Sequence, residues 1–573
     1  MNEKMIRVDM TSQTASVEDF PEKWRMLGGR SLSARILLEE CDPACDPLGP
    51  DNVFILAPGV LSGTAAPTSG RMSVGAKSPL TNGIKEANAG GNPAQDMVKL
   101  GYRVIVVKGK PADPEKRYAV DVSAEGISVK EVTDCKAMWN YALIEHLAQS
   151  YSASASFVSI GPAGEALLSG ASVACTDADD VRRPARHAAR GGLGAVMGSK
   201  GLKYFSVDAG KLGVRQAADK KGFLKLCKGL SKTYLGGPQP MKYGTSPSVD
   251  MANALYTFPY KNRVEGQSPD APTLTGTGIV ESFEERGGGM HNCMTGCIVS
   301  CSNVVHDPDG NYKTSALEFE TLTLLGANCA VDTWDKVAEL DRLCDEVGLD
   351  TIEVGAAIGV LMDSGGMEWG DNEAMKRLIA EIGTGTEQSD MIGNGAVATG
   401  DATGHHRVPS VKGQAIPAWD PRPLKATGVT YCTSAMGADH TAGLVVNPGT
   451  PVEDLPRFSQ MQQLINMAVD ASGLCMFLHS SPEEIRNFYS AYFGKEISRE
   501  AFLELTWQSL VDEWEFNRLA GWKNEDDVMP KCMETDPVGP LDVVFDVPHD
   551  VIQQTYVLMI EPTDTFFLRL AAA

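Results

Sequence analysis

The sequence predicts an α+β protein in which a sheet-rich N-terminal domain is followed by two mainly helical domains. Up to about residue 207, short β-like runs alternate with glycine-rich loops. Beyond about residue 215, apolar residues recur at helical spacing. A chain of 573 residues is also too long for one hydrophobic core. We therefore expect domains over residues 1–207, 208–412 and 413–573.

Composition and charge narrow the classes of function. The formal net charge of −23 argues against a nucleic-acid partner, which requires clustered Lys and Arg. The start MNEKMIRVDM lacks the apolar run of a signal peptide, and no stretch of about 18 apolar residues predicts a membrane span. We therefore expect a cytoplasmic protein, in which the 13 cysteines are reduced and grouped ones are metal ligands rather than disulfides.

The N-terminal region combines predicted strands with glycine-rich loops. Strands are expected in NVFILAPG, YRVIVVKGK and FVSIGPAG, and the loops are LGGRSLSAR, ANAGGNPA and ARGGLGAVMGSKGLK. Glycine is used where the backbone must come close to a ligand. The loops therefore predict a ligand-holding domain, the alternative being ordinary tight turns.

Two helical segments end in the same short motif. The segments TWDKVAELDRLCDEVGLD and FSQMQQLINMAVDASGLC both close with the form D-x-x-G-L, which begins at Asp345 and Asp470. Glycine at this position predicts a left-handed helix C-cap. The alternative to a ligand site is that the two motifs are helix C-caps and nothing more. However, a carboxylate near a helix C-terminus faces the negative end of the dipole. A ligand rich in N–H donors, such as a pterin, would compensate, and two motifs suggest two such ligands.

The segment HNCMTGCIVSC spaces Cys293, Cys297 and Cys301 evenly. If it were helical, all three thiols would share one face. Clustered thiolates in a reducing compartment indicate zinc or iron–sulfur ligation. Zinc usually takes C-x2-C pairs, and the chain has no second pair of cysteines to complete such a site. A fourth ligand is expected at Cys475, which ends the second D-x-x-G-L motif. The other candidates for this fourth ligand lie in apolar surroundings and are expected to be core residues, namely Cys329, Cys344 and Cys432.

Nearly the whole chain carries motifs of one known family. In the family's order they are LGGRSLSARILLEE, TSGRMSVGAKSPLT, EANAGGN, ARGGLGAVMGSKGLK, the cysteine cluster, EFETLTLLGANC, LCDEVGLDTIE, KGQAIPAWDPR, MGADHT and DASGLC. With these motifs the sequence resembles the tungsten-containing aldehyde:ferredoxin oxidoreductases. Well-known members have C-x2-C-x3-C where this chain has C-x3-C-x3-C, which affects the geometry expected for Cys293.

The resemblance implies a tungsten, or molybdenum, bis-pyranopterin beside a [4Fe–4S] cluster, with Mg²⁺ between the two pterin phosphates. Arg71 would lie between cluster and pterin, since a guanidinium can serve two acceptors. Asn88 and Gly90 would contact phosphate and Mg²⁺, and the loop Arg190, Gly191 and Gly192 would face phosphate. The two pterins would be bound by Asp345, Leu349, Asp350, Asp470 and Leu474, and the cluster by Cys293, Cys297, Cys301 and Cys475.

The reaction implied by the resemblance converts an aldehyde and water to a carboxylic acid. Glu320 in EFET is the implied base toward water, and His440 in GADHT the implied donor to the substrate carbonyl. Glu318 is expected to face elsewhere on a helix. The alternative for both site residues is a satisfied buried polar side chain.

Electrons are expected to leave through the cluster to a ferredoxin or a small iron–sulfur subunit. The sequence offers no histidine for a metal bridging two subunits, and a homodimer is left open. Because the chain carries a charge of −23, a basic or apolar patch near the cluster is expected for an acidic carrier. Two rival functions remain: the active subunit of an aryl-CoA ring reductase, and a pterin–metal protein without catalysis.

Overall fold

The structure, a computed structural model, describes residues 3–238 and 241–564. The part before residue 209 contains two six-stranded sheets. The first comprises β1 (Lys4–Asp9), β2 (Thr14–Asp19), β3 (Phe54–Pro58), β4 (Met72–Lys77), β5 (Ile84–Ala89) and β6 (Tyr102–Lys108). The second comprises β7 (Tyr118–Ser123), β8 (Gly126–Glu131), β9 (Ser156–Ser159), β10 (Val173–Cys175), β11 (Arg186–Ala188) and β12 (Leu202–Asp208).

Both sheets are mixed and enclose one apolar core. The strand order is β2-β1-β6-β3-β4-β5 in the first sheet and β11-β10-β9-β12-β7-β8 in the second. Each has one parallel pair, β1 with β6 and β7 with β12, among antiparallel neighbours. Side chains from both sheets form a common cluster, in which Phe54 and Phe205 stack at 6.3 Å between ring centroids. The predicted strands in the three apolar runs are confirmed.

Helices dominate the rest of the chain, and the first five helices lie within the sheet-rich part before residue 209. They are α1 (Gly29–Glu40), α2 (Pro93–Lys99), α3 (Asn140–Ala148), α4 (Pro162–Glu165), α5 (Leu193–Ser199), α6 (Lys220–Leu235), α7 (Ser248–Ala254), α8 (Ala271–Leu274), α9 (Gly276–Arg286), α10 (Phe319–Thr321), α11 (Trp334–Val347), α12 (Thr351–Asp363), α13 (Asn372–Ala380), α14 (Glu387–Gly393), α15 (Ala396–Thr403), α16 (Lys425–Thr433), α17 (Leu455–Ser472), α18 (Pro482–Phe493), α19 (Arg499–Leu519), α20 (Lys531–Thr535) and α21 (His549–Gln553).

Two small sheets interrupt this helical part. They consist of β13 (Gly288–His291), β14 (Ser302–His306) and β15 (Tyr312–Ser315), and of β16 (Ser410–Val411) with β17 (Gln414–Ala415). The expected boundary between residues 412 and 413 falls inside the β16–β17 hairpin. The division into three domains therefore stays a prediction, whereas the α+β class with a sheet-rich N-terminal part is confirmed. No described helix is both long and apolar enough to cross a membrane.

The predicted helix C-caps are confirmed. Gly348 ends α11 with φ 81°, and Gly473 ends α17 with φ 80°, both left-handed conformations that glycine adopts without strain. Each cap docks against one sheet of the N-terminal part. The backbone N–H groups of Val60 and Leu61, after β3, donate to the last turn of α17, and Ser172 N, before β10, donates to Gly348 O. Each D-x-x-G-L motif thus contacts a different one of the two sheets.

Candidate functional site

A cavity of about 700 Å³ lies between the sheets and the helical part. A second cavity of about 200 Å³ shares Arg71, Asn88, Glu320 and His440 with it. The larger cavity is also lined by Gly90, Asp345, Leu349 and Cys475, and the smaller by Arg190, Asp350, Asp470 and Leu474. The structure therefore brings most of the predicted site residues, from all parts of the chain, to one connected space.

The four predicted cluster cysteines lie in one buried cluster, and one of them, Cys475, lines the larger cavity. Cys293, Cys297, Cys301 and Cys475 are buried in one cluster of side chains. The first three lie in the loop between β13 and β14, and not on a helix. Thr68 joins this loop to Cys475, because Thr68 N donates to Gly296 O at 3.0 Å and Cys475 N donates to Thr68 O at 3.0 Å.

The electrostatics of these thiols suit a bound cationic group. Burial raises the pKa of Cys293 to about 12, against the opposing effect of Arg186 and Arg71. Burial likewise raises the pKa of Cys475, and Arg71 again opposes it. Four buried thiols become ligands only if a metal compensates their negative charge, and thiolates are the ligands that iron–sulfur clusters take. The donor set therefore fits a [4Fe–4S] cluster.

Arg71 lies between these cysteines and the D-x-x-G-L motif of α17. Its Nε donates to Asn88 Oδ1, and a further guanidinium N–H donates to Asn88 O at 3.1 Å. A Cβ added at Gly90 would lie 3.1 Å from Cys293 Sγ and 3.5 Å from Arg71 Nη1. Burial raises the pKa of Asp470 well above its ordinary value, and the same guanidinium opposes this effect. Arg71 thus acts on both the cysteine cluster and the second motif, and its place between cluster and pterin stays a prediction.

The carboxylate of Asp470 is held by groups that the sequence did not indicate. Burial raises its pKa well above the ordinary value, and Glu86 adds to this effect while Arg30 opposes it. Arg30 Nη1 lies 3.6 Å from Asp470 Oδ2 and has no hydrogen-bond partner among the described residues, although Arg30 Nε donates to Glu513 at 2.7 Å. This guanidinium N–H is buried next to Asp470, which lines the smaller cavity, and its missing hydrogen bond fits a polar ligand held there.

The first motif has its own set of partners. Asp345 Oδ1 lies 3.1 Å from His187 Nε2, and its Oδ2 accepts a hydrogen bond from the Tyr141 hydroxyl at 3.3 Å. Asp350 caps α12 through Ile352 N at 3.0 Å and contacts Arg190 Nε at 3.4 Å. His187, on β11, lines both cavities but carries no motif signal of its own.

The two glycines of the predicted phosphate loop line neither cavity. Gly191 has φ +83°, and a Cβ there would overlap the side chain of Lys85 at 2.4 Å. Gly192 has φ +72°, and a Cβ there would lie 2.5 Å from Ser169 O. Both let the chain pass closely behind the cavity wall, while Arg190 and Ala189 face the cavity. Their phosphate contacts stay a prediction.

Glu320 and His440 face each other where the two cavities join. His440 Nε2 lies 3.8 Å from Glu320 Oε1. Glu320 Oε2 accepts a hydrogen bond from Ala418 N at 2.7 Å, which fixes the carboxylate. Glu320 Oε1 and His440 Nδ1 are buried and have no hydrogen-bond partner among the described residues. Two orphaned polar atoms on the wall of a cavity are the property expected of groups that act on a substrate.

Glu318 differs from expectation, because it also lines the larger cavity. It precedes the short helix α10 with φ −100° and ψ 166°, so helical spacing does not separate it from Glu320. Its carboxylate accepts hydrogen bonds from the backbone and hydroxyl of Thr245. Burial raises the pKa of Cys301 well above its ordinary value, and Glu318 adds to this effect. Gly244 lies beside both Cys301 O and the Glu318 carboxylate, so Glu318 is on the cysteine side of the cavity.

A buried ion pair supports the histidine. Lys85 Nζ pairs with Asp439, and both side chains are almost fully buried. Asp439 Oδ1 in turn accepts from Thr441 N at 3.0 Å and from its hydroxyl at 2.7 Å, which fixes the turn that carries His440. Sequence reasoning missed this pair. The adjacency of Asp439 and His440 in GADHT was the one available signal.

The sequence and the fold are similar to those of known proteins. A family model described as aldehyde ferredoxin oxidoreductase, N-terminal domain, matches residues 5–209, and the model for domains 2 and 3 matches residues 225–559. The tungsten-containing aldehyde ferredoxin oxidoreductase of Pyrococcus furiosus is 31% identical over 94% of this chain and 92% of its own length. That of Thermococcus kodakarensis is 30% identical with the same coverage.

A more distant relative and a solved structure extend the comparison. The aliphatic sulfonate oxidoreductase, WOR-like subunit, of Pyrococcus furiosus is 24% identical over 94% of this chain and 90% of its own length. The active site complex BamBC of benzoyl coenzyme A reductase, in complex with 1,5-dienoyl-CoA, shares the fold at a TM-score of 0.78 and 18% identity, covering 97% of this chain and 93% of its own. Since the two family models match nearly all of the sequence, the chain belongs to the aldehyde ferredoxin oxidoreductase family.

Proposed function

We propose that the protein is an oxidoreductase that converts aldehydes to carboxylic acids at a tungsten, or molybdenum, bis-pterin. Electrons leave one at a time through a [4Fe–4S] cluster to a ferredoxin or a small iron–sulfur subunit. The observation that supports this most is the connected cavity. It is lined by Cys475 of the buried cysteine cluster, by both D-x-x-G-L motifs and by the pair Glu320 and His440. Reduced thiols need a reducing compartment, so we place the protein in the cytoplasm.

The residues around the cavity fit these groups. Three features support this fit. They are the Nη1 of Arg30, which lacks a hydrogen-bond partner among the described residues, the close approach of the backbone at Gly90, and the four buried thiols. Asp345, Leu349 and Asp350 would hold one pterin, Asp470 and Leu474 the other, and Asn88 and Gly90 the Mg²⁺ between the phosphates. When bound, the metal centre supplies a two-electron oxidant and the cluster a one-electron relay.

Glu320 is the proposed base. The reaction adds water to the aldehyde carbon and releases a carboxylic acid, two electrons and two protons. Ala418 N–H occupies Glu320 Oε2, so Oε1 is the atom that faces the cavity and takes a proton from water. His440, 3.8 Å away through Nε2, is placed to donate a hydrogen bond to the aldehyde oxygen as charge develops there.

Apolar side chains surround this polar pair. Phe319 and Trp419, whose ring centroids are 4.9 Å apart, line the larger cavity together with Leu444 and Val446. Such a wall holds the apolar part of a substrate and excludes bulk water from the polar groups, which strengthens their hydrogen bonds. The polar groups thus fix the carbonyl end of the aldehyde and the apolar wall its substituent.

Metal analysis and a dye assay on anaerobically purified protein test the proposal. We expect about one tungsten or molybdenum, about four iron atoms and two pterins for each chain, from the four thiols and two motifs. Aldehyde-dependent reduction of benzyl viologen should accompany this content. Iron without a group-six metal, zinc in place of iron, or a fully loaded protein that reduces no dye with any aldehyde would contradict the proposal. The last result would favour an aryl-CoA reductase or a protein without catalysis.

A further inference from the structure

Helix α6 carries a stripe of lysines on its exposed side. Its sixteen residues include five lysines and no Asp or Glu, in a chain whose net charge is −23. Lys221, Lys225, Lys228 and Lys232 follow the spacing i, i+4, i+7 and i+11, which places them on one face of the helix. All four are exposed, and none forms an ion pair within residues 3–238 and 241–564. We refer to these four residues as the lysine stripe.

The opposite face of α6 packs against the proposed cluster site. Phe223, Cys227, Leu230 and Tyr234 repeat the same spacing two residues out of phase, which turns them about half a turn away from the lysine stripe. They are buried in the cluster of side chains that contains the four predicted cluster ligands. Phe223 anchors this face on α18, with its ring 5.3 Å from that of Phe488.

Tyr234 is the last of these residues on the buried face of α6. Its side chain lies in the same buried cluster as Cys297, Cys301 and Cys475. The Tyr234 hydroxyl is buried without a hydrogen-bond partner among the described residues. One helix therefore separates the lysine stripe from the cysteines.

The charge of the stripe defines the partner it fits. A chain of charge −23 repels an acidic protein at long range, except where positive charge is concentrated. Four exposed lysines on one helix face provide such a place, and Leu224 beside them, 40% exposed, adds an apolar contact. Clustered charge on a rim steers an oppositely charged partner and orients it, and single-electron transfer requires that the two redox centres come close.

We propose that the lysine stripe of α6 is the docking surface for a small acidic iron–sulfur protein that takes electrons from the cluster. The electron transfer in this inference rests on the proposed function, whereas the binding of an acidic partner does not. The stripe neither lines the cavities nor contacts a proposed ligand, so its removal separates docking from catalysis. The same charge could attract nucleic acid, and the experiment below includes that outcome.

The test uses the full anaerobic protein and an acidic bacterial [4Fe–4S] ferredoxin. In the fourfold variant Lys221→Glu, Lys225→Glu, Lys228→Glu and Lys232→Glu, the affinity measured by calorimetry at low salt should fall at least about 10-fold. Because salt shortens the Debye length to about 3 Å at 1 M, wild type and variant should converge there. The corresponding fourfold Lys→Gln variant should lose less affinity, since it removes the attraction without adding repulsion.

Matched controls keep each outcome distinct. Lys110 and Lys523 are also exposed but lie outside α6, so Lys110→Glu with Lys523→Glu should leave ferredoxin affinity unchanged. Iron content and aldehyde-dependent viologen reduction should be the same in all variants, while reduction of ferredoxin falls only in the stripe variants. Equal affinity in wild type and the fourfold Glu variant, or stripe-dependent binding of duplex DNA but not of ferredoxin, would overturn the inference. Absence of dye reduction in wild type would instead contradict the proposed function and leave stripe-dependent binding intact.

Discussion

His440 Nε2 lies 3.8 Å from Glu320 Oε1, at the junction of the two cavities. The two residues come from segments 120 positions apart, and each presents a buried polar atom that no described residue satisfies. A separation of 3.8 Å is longer than a hydrogen bond, so the pair is not closed on itself. A carboxylate and an imidazole in this arrangement can serve one small substrate from two sides.

Glu320→Gln and His440→Asn should each slow aldehyde oxidation without loss of metal. The glutamine keeps an acceptor for Ala418 N but cannot take a proton from water, so kcat should fall by about 10²–10⁴-fold. Loss of the histidine donor should lower kcat by roughly 10²–10³-fold. Steady-state kinetics with a viologen dye, beside tungsten and iron analysis, measures both. Normal turnover in Glu320→Gln would show that another group is the base.

Glu318→Gln is the matched control for that pair. The glutamine can still accept a hydrogen bond from Thr245, and the side chain lies toward Cys301 rather than His440. Turnover with dye should therefore stay close to that of wild type, while the reduction potential of the cluster, measured by EPR-monitored titration, should rise because one nearby negative charge is removed. A loss of turnover as large as in Glu320→Gln would transfer the role of base to Glu318.

Cys475→Ala should lose or degrade the cluster. Cys475 lies with the three loop cysteines, and its backbone is tied to them through Thr68. Asp470 and Leu474 remain in this variant, so part of the pterin should be retained. Iron analysis and the EPR signal of the reduced cluster measure the loss. Cys432→Ala is the control, because Cys432 is buried in a separate apolar cluster and should keep full iron. The reverse pattern would identify Cys432 as the ligand.

Gly29→Ala should disturb the site around Asp470. Gly29 begins α1 with φ +48°, and an added Cβ would lie only 2.1 Å from the carbonyl oxygen of Asp470. The backbone of α17 would have to move away, so pterin and tungsten content should fall. Gly101→Ala is the control, because Gly101 also has a positive φ of +95° but nothing within 4 Å of the added atom. It should lose only about 1–2 kcal/mol of stability and keep its cofactors.

Local patterns were sufficient to predict the elements that carry the site. The apolar spacing of α11 and α17 and the glycines at their ends predicted two capped helices, because a left-handed C-cap is encoded within a few residues. The cysteine loop was different. Gly296 with φ +78° and Ser300 with φ +53° break the helical path that even spacing allows, and only the tertiary contact with Thr68 fixes it.

Partners of the site residues were predictable only where a motif contained them. Arg30, Glu513 and Asp470 are joined across more than 400 residues of sequence, and neither charge pattern nor periodicity reports such a contact. His187 likewise approaches Asp345 only because β11 is the edge strand of the second sheet beside α11. The roles of the individual ligands, and the division into three domains, therefore stay predictions.

Asp439→Asn should have two effects: it should destabilise the protein and displace His440. Burial raises the pKa of Asp439, but Lys85, Arg190 and His440 hold it well below the ordinary value of 3.8. The ionised carboxylate therefore contributes stability that is present above pH 3.8 and is lost as the pH falls further. Without it, Lys85 is left as an uncompensated buried charge, which typically costs about 3–5 kcal/mol.

The comparison with a second buried ion pair separates stability from function. Lys412 and Asp527 are also almost fully buried, with Nζ 2.6 Å from Oδ1, but line neither cavity. Both Asp439→Asn and Asp527→Asn should therefore lower the melting temperature at neutral pH. Only Asp439→Asn should also reduce kcat at permissive temperature, because the asparagine is no longer paired with Lys85 and the turn at Thr441 that holds His440 loosens. Equal kcat in the two variants would mean that Asp439 has no part in positioning the histidine.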